Sequence, residues 1–292
     1  MQERWNGLDL GVILALDSIG PAHWRTRHGD PNMNGRSYGG QLLGQAMMAA
    51  LMDMPDDRRP TMMQFVFLQG AMPEERIDLR VHDLQAGKRF TSRRVDGSQA
   101  NGRRVLDAQV TFAKRLDAPE HGAARAHLRE EQPESFATLD DVPEHVLEEI
   151  TRLGGYSRDR KPSIEFRIPQ AKRQLDPARM TDTFRFWMRT ARPVGPDPRV
   201  QAAAFAYLSD WWLNFSSLGM HLRDVGSRGL YIASLNHALW LHRPVRADEW
   251  MHVESVSPVA AHGRGFAIAS VHDLAGRRIA TATQECLMGF VD

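Results

Sequence analysis

Cysteine is almost absent from this chain: Cys286 stands alone among 292 residues. A lone cysteine rules out an internal disulfide and leaves no thiolate cluster for zinc or iron–sulfur, and a reducing cytoplasm fits. Long hydrophobic runs are missing as well. No stretch approaches the ~20 apolar residues of a membrane-spanning helix, and the short run LGVILALDSIG is flanked by acids rather than preceded by a basic segment. Neither a signal peptide nor an anchor is expected. The chain also lacks an excess of one charge, because 37 basic residues meet 36 acidic ones and leave +1. That balance provides no field for a polyanion, so nucleic acid is not an expected partner.

At 42% hydrophobic content, the chain can bury a sizeable core in one large domain or two medium ones. Residues 35–39, GRSYG, match Gly-x-Ser-x-Gly, the spacing that raises a nucleophilic serine on a strand-to-helix turn. Ser37 is therefore one candidate. The helix expected after that turn is present in GQLLGQAMMAALMDM, but the segment before it, RHGDPNMN, is loop chemistry rather than a buried strand.

An internal repeat organises the rest. MMQFVFLQGAMPEERIDLRVHDLQAGKRFTSRRVDGSQANGRRVLDAQVTFA alternates strands with Pro- and Gly-rich turns, and LNHALWLHRPVRADEWMHVESVSPVAAHGRGFAIASVHDLAGRRIATATQECLMG repeats that order. Gly87 and Gly263 lie 176 positions apart and Gly102 and Gly276 lie 174 apart, offsets close enough to indicate duplication. An apolar helix precedes each strand set: GGQLLGQAMMAALMDM in the first half, RVQAAAFAYLSDWWLNFSSL in the second. Both are apolar nearly all round, so each is expected to be buried. The predicted fold class is α+β, with a curved antiparallel sheet wrapped around one long helix, twice in tandem: a double hotdog. The boundaries that follow are residues 1–118 for the first hotdog domain, 119–160 for a solvated, Asp-, Glu- and Pro-rich linker with a short helix at VPEHVLEEITRL, and 161–292 for the second domain.

Several polar residues stand out in apolar surroundings. Asp210 has only Ala206, Tyr207, Leu213 and Asn214 three and four positions away along its helix, so no intrahelical cation pairs with it. It is either a functional carboxylate or a residue at an exposed helix edge. Gln284 alternates onto the apolar face of the last strand with Ala280, Ala282, Cys286 and Met288, where its amide needs partners; a structural cross-strand bond satisfies that need equally well. Strict alternation puts Ser234 on one face with Asn236, Ala238 and Trp240. His237 and His242 have no third ligand at metal spacing, so core and turn roles are expected and no metal site. Arg89, Arg93, Arg243, Arg246 and Arg264 are either solvated surface or contacts for nucleotide phosphates.

Taken in order, YGGQLLGQA, KRFTSRRV, YLSDWWL, IASLNHALWLHRPVRADEW, GRGFA and ATQE resemble the acyl-CoA thioesterase II family over nearly the full length. The resemblance implies a double hotdog fold, hydrolysis of acyl-CoA thioesters without metal or cofactor, and assembly into homodimers or homotetramers. It also implies a catalytic water held by Asp210, Ser234 and Gln284. Backbone N–H groups at the start of the first helix, at Gly40 and Gln41, would then hold the oxyanion; the alternative for GGQLLG is a tight packing contact. The chain departs from the family in having serine at the hydroxyl position, Asn236 for an aspartate, Gln64 for a histidine and Cys286 for a small residue. Three other classes remain: a serine hydrolase on Ser37, a hotdog hydratase with an adjacent Asp and His, and a silent acyl-CoA binding module.

Overall fold

The first half of the chain runs α1 (Leu10–Leu14), β1 (Leu16–Gly20), β2 (His23–Thr26), α2 (Gly39–Leu51), β3 (Arg58–Phe67), β4 (Asp78–Ala86), β5 (Phe90–Gln99) and β6 (Arg103–Lys114). A strap of 3-10 turns and α3 (Glu144–Thr151) leads to β7 (Ile164–Arg167), α4 (Ala171–Gln174), β8 (Thr183–Thr190), α5 (Pro198–Ser209), α6 (Phe215–Leu218) and α7 (Leu222–Val225). The chain closes with β9 (Gly229–Leu241), β10 (Met251–Ala261), β11 (Arg264–Asp273) and β12 (Arg278–Val291). These elements come from a computed structural model that describes residues 5–153, 160–225 and 228–291.

All twelve strands join one antiparallel sheet in the order β1-β2-β4-β5-β6-β3-β9-β12-β11-β10-β8-β7. Read inward from either end, the two halves follow the same sequence of strands, so the repeat in the amino-acid sequence reappears as topology. They meet at β3 and β9, where Met62 lies opposite Trp240 and Val66 opposite Asn236. The architecture is the double hotdog. Along β12, Ala280, Ala282, Gln284 and Cys286 are buried while Thr281, Thr283 and Glu285 are partly exposed, the alternation that gives one sheet face to the core.

Helices α2 and α5 share the inner face and touch through small residues. A methyl group on Gly40 would lie 2.1 Å from the Tyr207 carbonyl oxygen, and one on Gly44 3.0 Å from that of Ala203. Spacing of four residues on both helices keeps these contacts on one stripe. Asp197 caps α5, its side chain accepting from the Arg199 N–H at 2.9 Å, with Pro198 in the first turn.

Two expectations from sequence fail here. The second helix was expected to run through residue 218, but α5 stops at Ser209 and Asp210 becomes its C-cap. Trp212 adopts a left-handed φ of 54° because its indole packs between Phe166, Phe184 and Phe215, with ring centroids 4.7–5.6 Å away. The segment expected to be a solvated linker is also different. Leu139, Val142, Leu147, Ile150 and Leu153 join the main core, while Leu128 and Phe136 pack on Trp187 and Trp250 as a second, smaller cluster. Indole hydrogen bonds pin this strap, from Trp187 Nε1 to Glu131 at 2.8 Å and from Trp250 Nε1 to Glu134 at 2.5 Å. Residues 154–159 of the expected linker lie outside the described residues.

The helix crossing gives a direct test. Gly40→Ala places a methyl group against a backbone carbonyl that cannot swing aside, so chemical denaturation should show a loss of about 1–3 kcal/mol or more, the range for overpacking a core. Unchanged stability would mean that the helices do not cross as described.

Candidate active site

Three elements bring their side chains to one point. Asp210 comes from the C-terminus of α5, Ser234 from β9 and Gln284 from β12. Gln284 Nε2 donates to Asp210 Oδ1 at 2.6 Å and to Ser234 Oγ at 2.8 Å, and the Ser234 hydroxyl faces Asp210 Oδ1 at 3.4 Å. Gln284 is fully buried, whereas Asp210 and Ser234 are half-buried and reachable by water. Asp210 is thus a hydrogen-bonded carboxylate at a helix end rather than an unpartnered one inside a helix.

The placement of Ser234 corrects the simple alternation. Opposite β12, Gln284 pairs with His237, but Cys286 pairs with Ser234, so Leu235 is an extra residue and the register shifts. This bulge reverses the parity of β9. Ser234 consequently shares the inner face with His237, not with Asn236. Asn236 points outward, where its side-chain amide donates to Glu285 at 2.8 Å.

Behind Gln284 lies His237, completely buried. Both N–H groups of the Gln284 amide are committed to Asp210 and Ser234, so its Oε1 requires a donor. His237 Nδ1, 3.2 Å away, must therefore carry the proton. The other nitrogen, Nε2, lies 3.0 Å from Ser209 Oγ, whose hydroxyl also donates to the Ala206 carbonyl at 2.8 Å. Burial lowers the His237 pKa to about 4, only partly opposed by the hydrogen bond to Gln284, so the ring is neutral at physiological pH. Core and turn roles are what the sequence predicts for His237 and His242, but not that His237 orients the amide of Gln284. His242 reaches Thr281 Oγ1 at 2.9 Å at the surface. Among the described residues no three His, Cys, Asp or Glu side chains come together as a metal site.

The glycine pair at the start of α2 divides its work. Gly40 serves the helix crossing, while Gly39 adjoins the carboxylate: a methyl group there would lie 2.6 Å from Asp210 Oδ2 and 3.1 Å from Phe67 Cε1. The positive end of the α2 dipole thereby faces Asp210. The N–H groups of Gly40 and Gln41 occupy the first turn, which has no side-chain cap and where helix geometry supplies no acceptor. The Gln41 side chain turns away from Asp210; its Oε1 accepts from the Asp30 N–H at 2.6 Å and its Nε2 donates to Gln45 at 3.0 Å.

Other candidates separate from this cluster. Ser37 Oγ is buried without a hydrogen-bond partner, and residues before it form no strand beyond a single bridge with Pro31, so the nucleophile elbow is not built. Burial pushes the Cys286 thiol up to about 12, which keeps it protonated and unreactive. Arg93 caps α2 by donating to the carbonyls of Ala50 and Met52 at 3.0 and 2.6 Å. Arg264 pairs with Glu285 at 2.9 Å, Arg246 with Asp248 at 3.3 Å and Arg243 with Glu120 at 3.6 Å. Arg89 is an exposed surface residue and Gln64 points outward from β3.

Fold and site together describe a double hotdog protein with one acid–hydroxyl–amide cluster in its second half. Residues 28–113 match the acyl-CoA thioesterase N-terminal domain and residues 133–288 the acyl-CoA thioesterase C-terminal domain, and the chain belongs to the acyl-CoA thioesterase family. It is 25% identical over 292 residues to acyl-coenzyme A thioesterase 8 of Mus musculus, covering 94% of this chain and 85% of that one. Acyl-CoA thioesterase 2 of Haemophilus influenzae is 24% identical over 279 residues, covering 95% and 96%. The crystal structure of acyl-CoA thioesterase II TesB2 from Mycobacterium marinum superposes with a TM-score of 0.76 at 22% identity, covering 97% of this chain and 98% of that one.

Neutral His237 has a stability signature. Its folded pKa near 4 lies below the ~6.5 of an unfolded imidazole, so unfolding takes up a proton between those values. The contribution is full above pH 6.5 and is lost as pH falls toward 4. Between pH 7 and pH 5 the wild type should lose about 2 kcal/mol more stability than His237→Asn, measured by urea unfolding. Equal losses would place a charged imidazole in the folded protein and reject the tautomer assigned here.

Proposed function

We propose that this chain hydrolyses acyl-CoA to free fatty acid and CoA with a water held among Asp210, Ser234 and Gln284. The observation that carries the proposal is the triangle of hydrogen bonds between these three side chains, in which two edges are short and the Ser234–Asp210 edge is long at 3.4 Å. A water inserted along that edge donates to the Asp210 carboxylate and accepts from the Ser234 hydroxyl. Asp210 then takes its proton as the oxygen attacks the thioester carbonyl. Gln284, held by His237, keeps the carboxylate aligned.

The chemistry asks little more. A thiolate, with a thiol pKa of about 8.5, leaves without a strong general acid. The developing oxyanion needs fixed donors, and the N–H groups of Gly40 and Gln41 at the α2 N-terminus suit it. No serine or cysteine nucleophile is required, in keeping with the surroundings of Ser37 and Cys286. In this reading residues 1–118 form the first hotdog domain, 119–160 the connecting strap and 161–292 the domain that supplies the acid, hydroxyl and amide. A cytoplasmic homodimer or homotetramer completes it. Val66, Tyr231, Trp240, Ile268 and Leu287, exposed on the outer face of the central strands, support such an assembly.

Asp210→Asn preserves shape but removes proton acceptance, so release of free thiol from acyl-CoA should fall by about a hundredfold or more. Ser234→Thr should remain active, while Ser234→Ala should lose about tenfold to a thousandfold. Full activity in a folded Asp210→Asn enzyme would eliminate the mechanism.

A further inference from the structure

A polar cavity lies on the opposite face of the sheet from Asp210. It encloses about 200 Å3 between the strap near Arg125, the α4 turn carrying Arg173, and the outer face of β8 and β10 with Arg185 and His252. The faces are distinct because Ser255, next along β10, points inward to the Leu213 carbonyl at 2.8 Å, whereas His252 and Glu254 point outward.

The lining is cationic and incompletely satisfied. Arg125 and Arg185 both bind Glu254, through Arg125 Nη1 at 2.9 Å and Arg185 Nε at 2.5 Å, so two guanidinium groups share one carboxylate. The terminal nitrogens of Arg185 and the guanidinium of Arg173 belong to exposed side chains and have no protein partner among the described residues, so they are open to a ligand as well as to solvent. His252 is only 2% exposed, and its Nδ1 is buried without a hydrogen bond. An unmet buried polar nitrogen is uncommon in a folded protein and marks a place where a polar partner belongs. The one carboxylate lining the cavity, Glu131, is already an acceptor for Trp187 Nε1.

We propose that this cavity binds a compact oxyanion of the phosphate class, either free or as a small monoester. Donors from two walls, Arg173 on the α4 turn and Arg185 and His252 on the face of the sheet, suit a tetrahedral anion with several acceptor oxygens better than a planar carboxylate. The volume exceeds the ~150 Å3 of an apolar cavity that accommodates benzene, which leaves room for a few atoms esterified to the phosphate. Arg173 adds a positive charge to this lining, and since its guanidinium makes no hydrogen bond or ion pair among the described residues, its removal should spare the fold.

Isothermal titration with inorganic phosphate and with glycerol 3-phosphate, at constant ionic strength with chloride as the control anion, tests the site. Saturable binding should appear in the wild type and weaken at least about tenfold in Arg173→Gln, the loss expected for one charged hydrogen-bonding group. Thiol release by Arg173→Gln should stay at the wild-type level, and its melting temperature should no longer rise with added phosphate. Tighter binding of phosphate assigns the site to the free anion; tighter binding of the ester assigns it to a phosphorylated metabolite. The absence of saturable binding by either compound up to about ten millimolar, or equal affinity in Arg173→Gln, would overturn the proposal. These readouts do not depend on the thioesterase mechanism.

Discussion

The contact between α2 and α5 is the constraint on which the rest of the molecule depends. Side chains ordinarily hold packed helices 8–10 Å apart; here Gly40 and Gly44 let the α2 backbone press on the Tyr207 and Ala203 carbonyls. That approach puts the first turn of α2 beside the last residue of α5. Gly39 therefore touches the Asp210 carboxylate, and the open N–H groups of a helix start lie next to the negative end of its neighbour. A β-carbon at Gly40 or Gly44 would push the first turn of α2 away from the end of α5.

The loop leading into α2 is secured by polar groups in the interior. Lys161 and Asp30 are both buried and 3.0 Å apart, Tyr207 donates to the other Asp30 oxygen at 2.6 Å, and Ser163 Oγ meets the Tyr207 hydroxyl at 2.9 Å. Buried charges of this kind add little net stability, yet removing one partner costs about 3–5 kcal/mol. The network therefore acts as a register device, tying residue 30 of the first half to residue 161 and helix α5 of the second. Tyr207, Ser209 and Asp210 then take three roles along one turn: anchoring the loop, receiving His237, and presenting the acid.

The first part of the strap, through Phe136, packs on the opposite face of the sheet. Its acids, read from composition as solvated, include Glu131 and Glu134, which accept indole N–H groups, and Leu128 is completely buried between Trp187 and Trp250. Composition misleads here because Leu128 and Phe136 follow neither a helical nor a strand period, and their burial depends on tryptophans more than fifty residues away.

Local pattern carried the sequence a long way. The repeat, the apolar helices, the turn glycines and the inward face of Gln284 were all legible, because each follows from the spacing of neighbouring residues. Alternation runs unbroken through Gln284, so its burial needed no tertiary information. Ser234 differs: its face depends on a bulge at Leu235 that exists only in the hydrogen-bond register with β12. Asp210 differs for another reason, since the end of α5 is set by the packing of Trp212 on Phe166 and Phe184, rings brought from distant strands. The sequence by itself determined the duplicated strand-and-helix plan and the residue types available for hydrolysis. Tertiary structure alone decided that Asp210, Ser234 and Gln284 meet, because cross-strand register and aromatic packing join residues that no local periodicity connects.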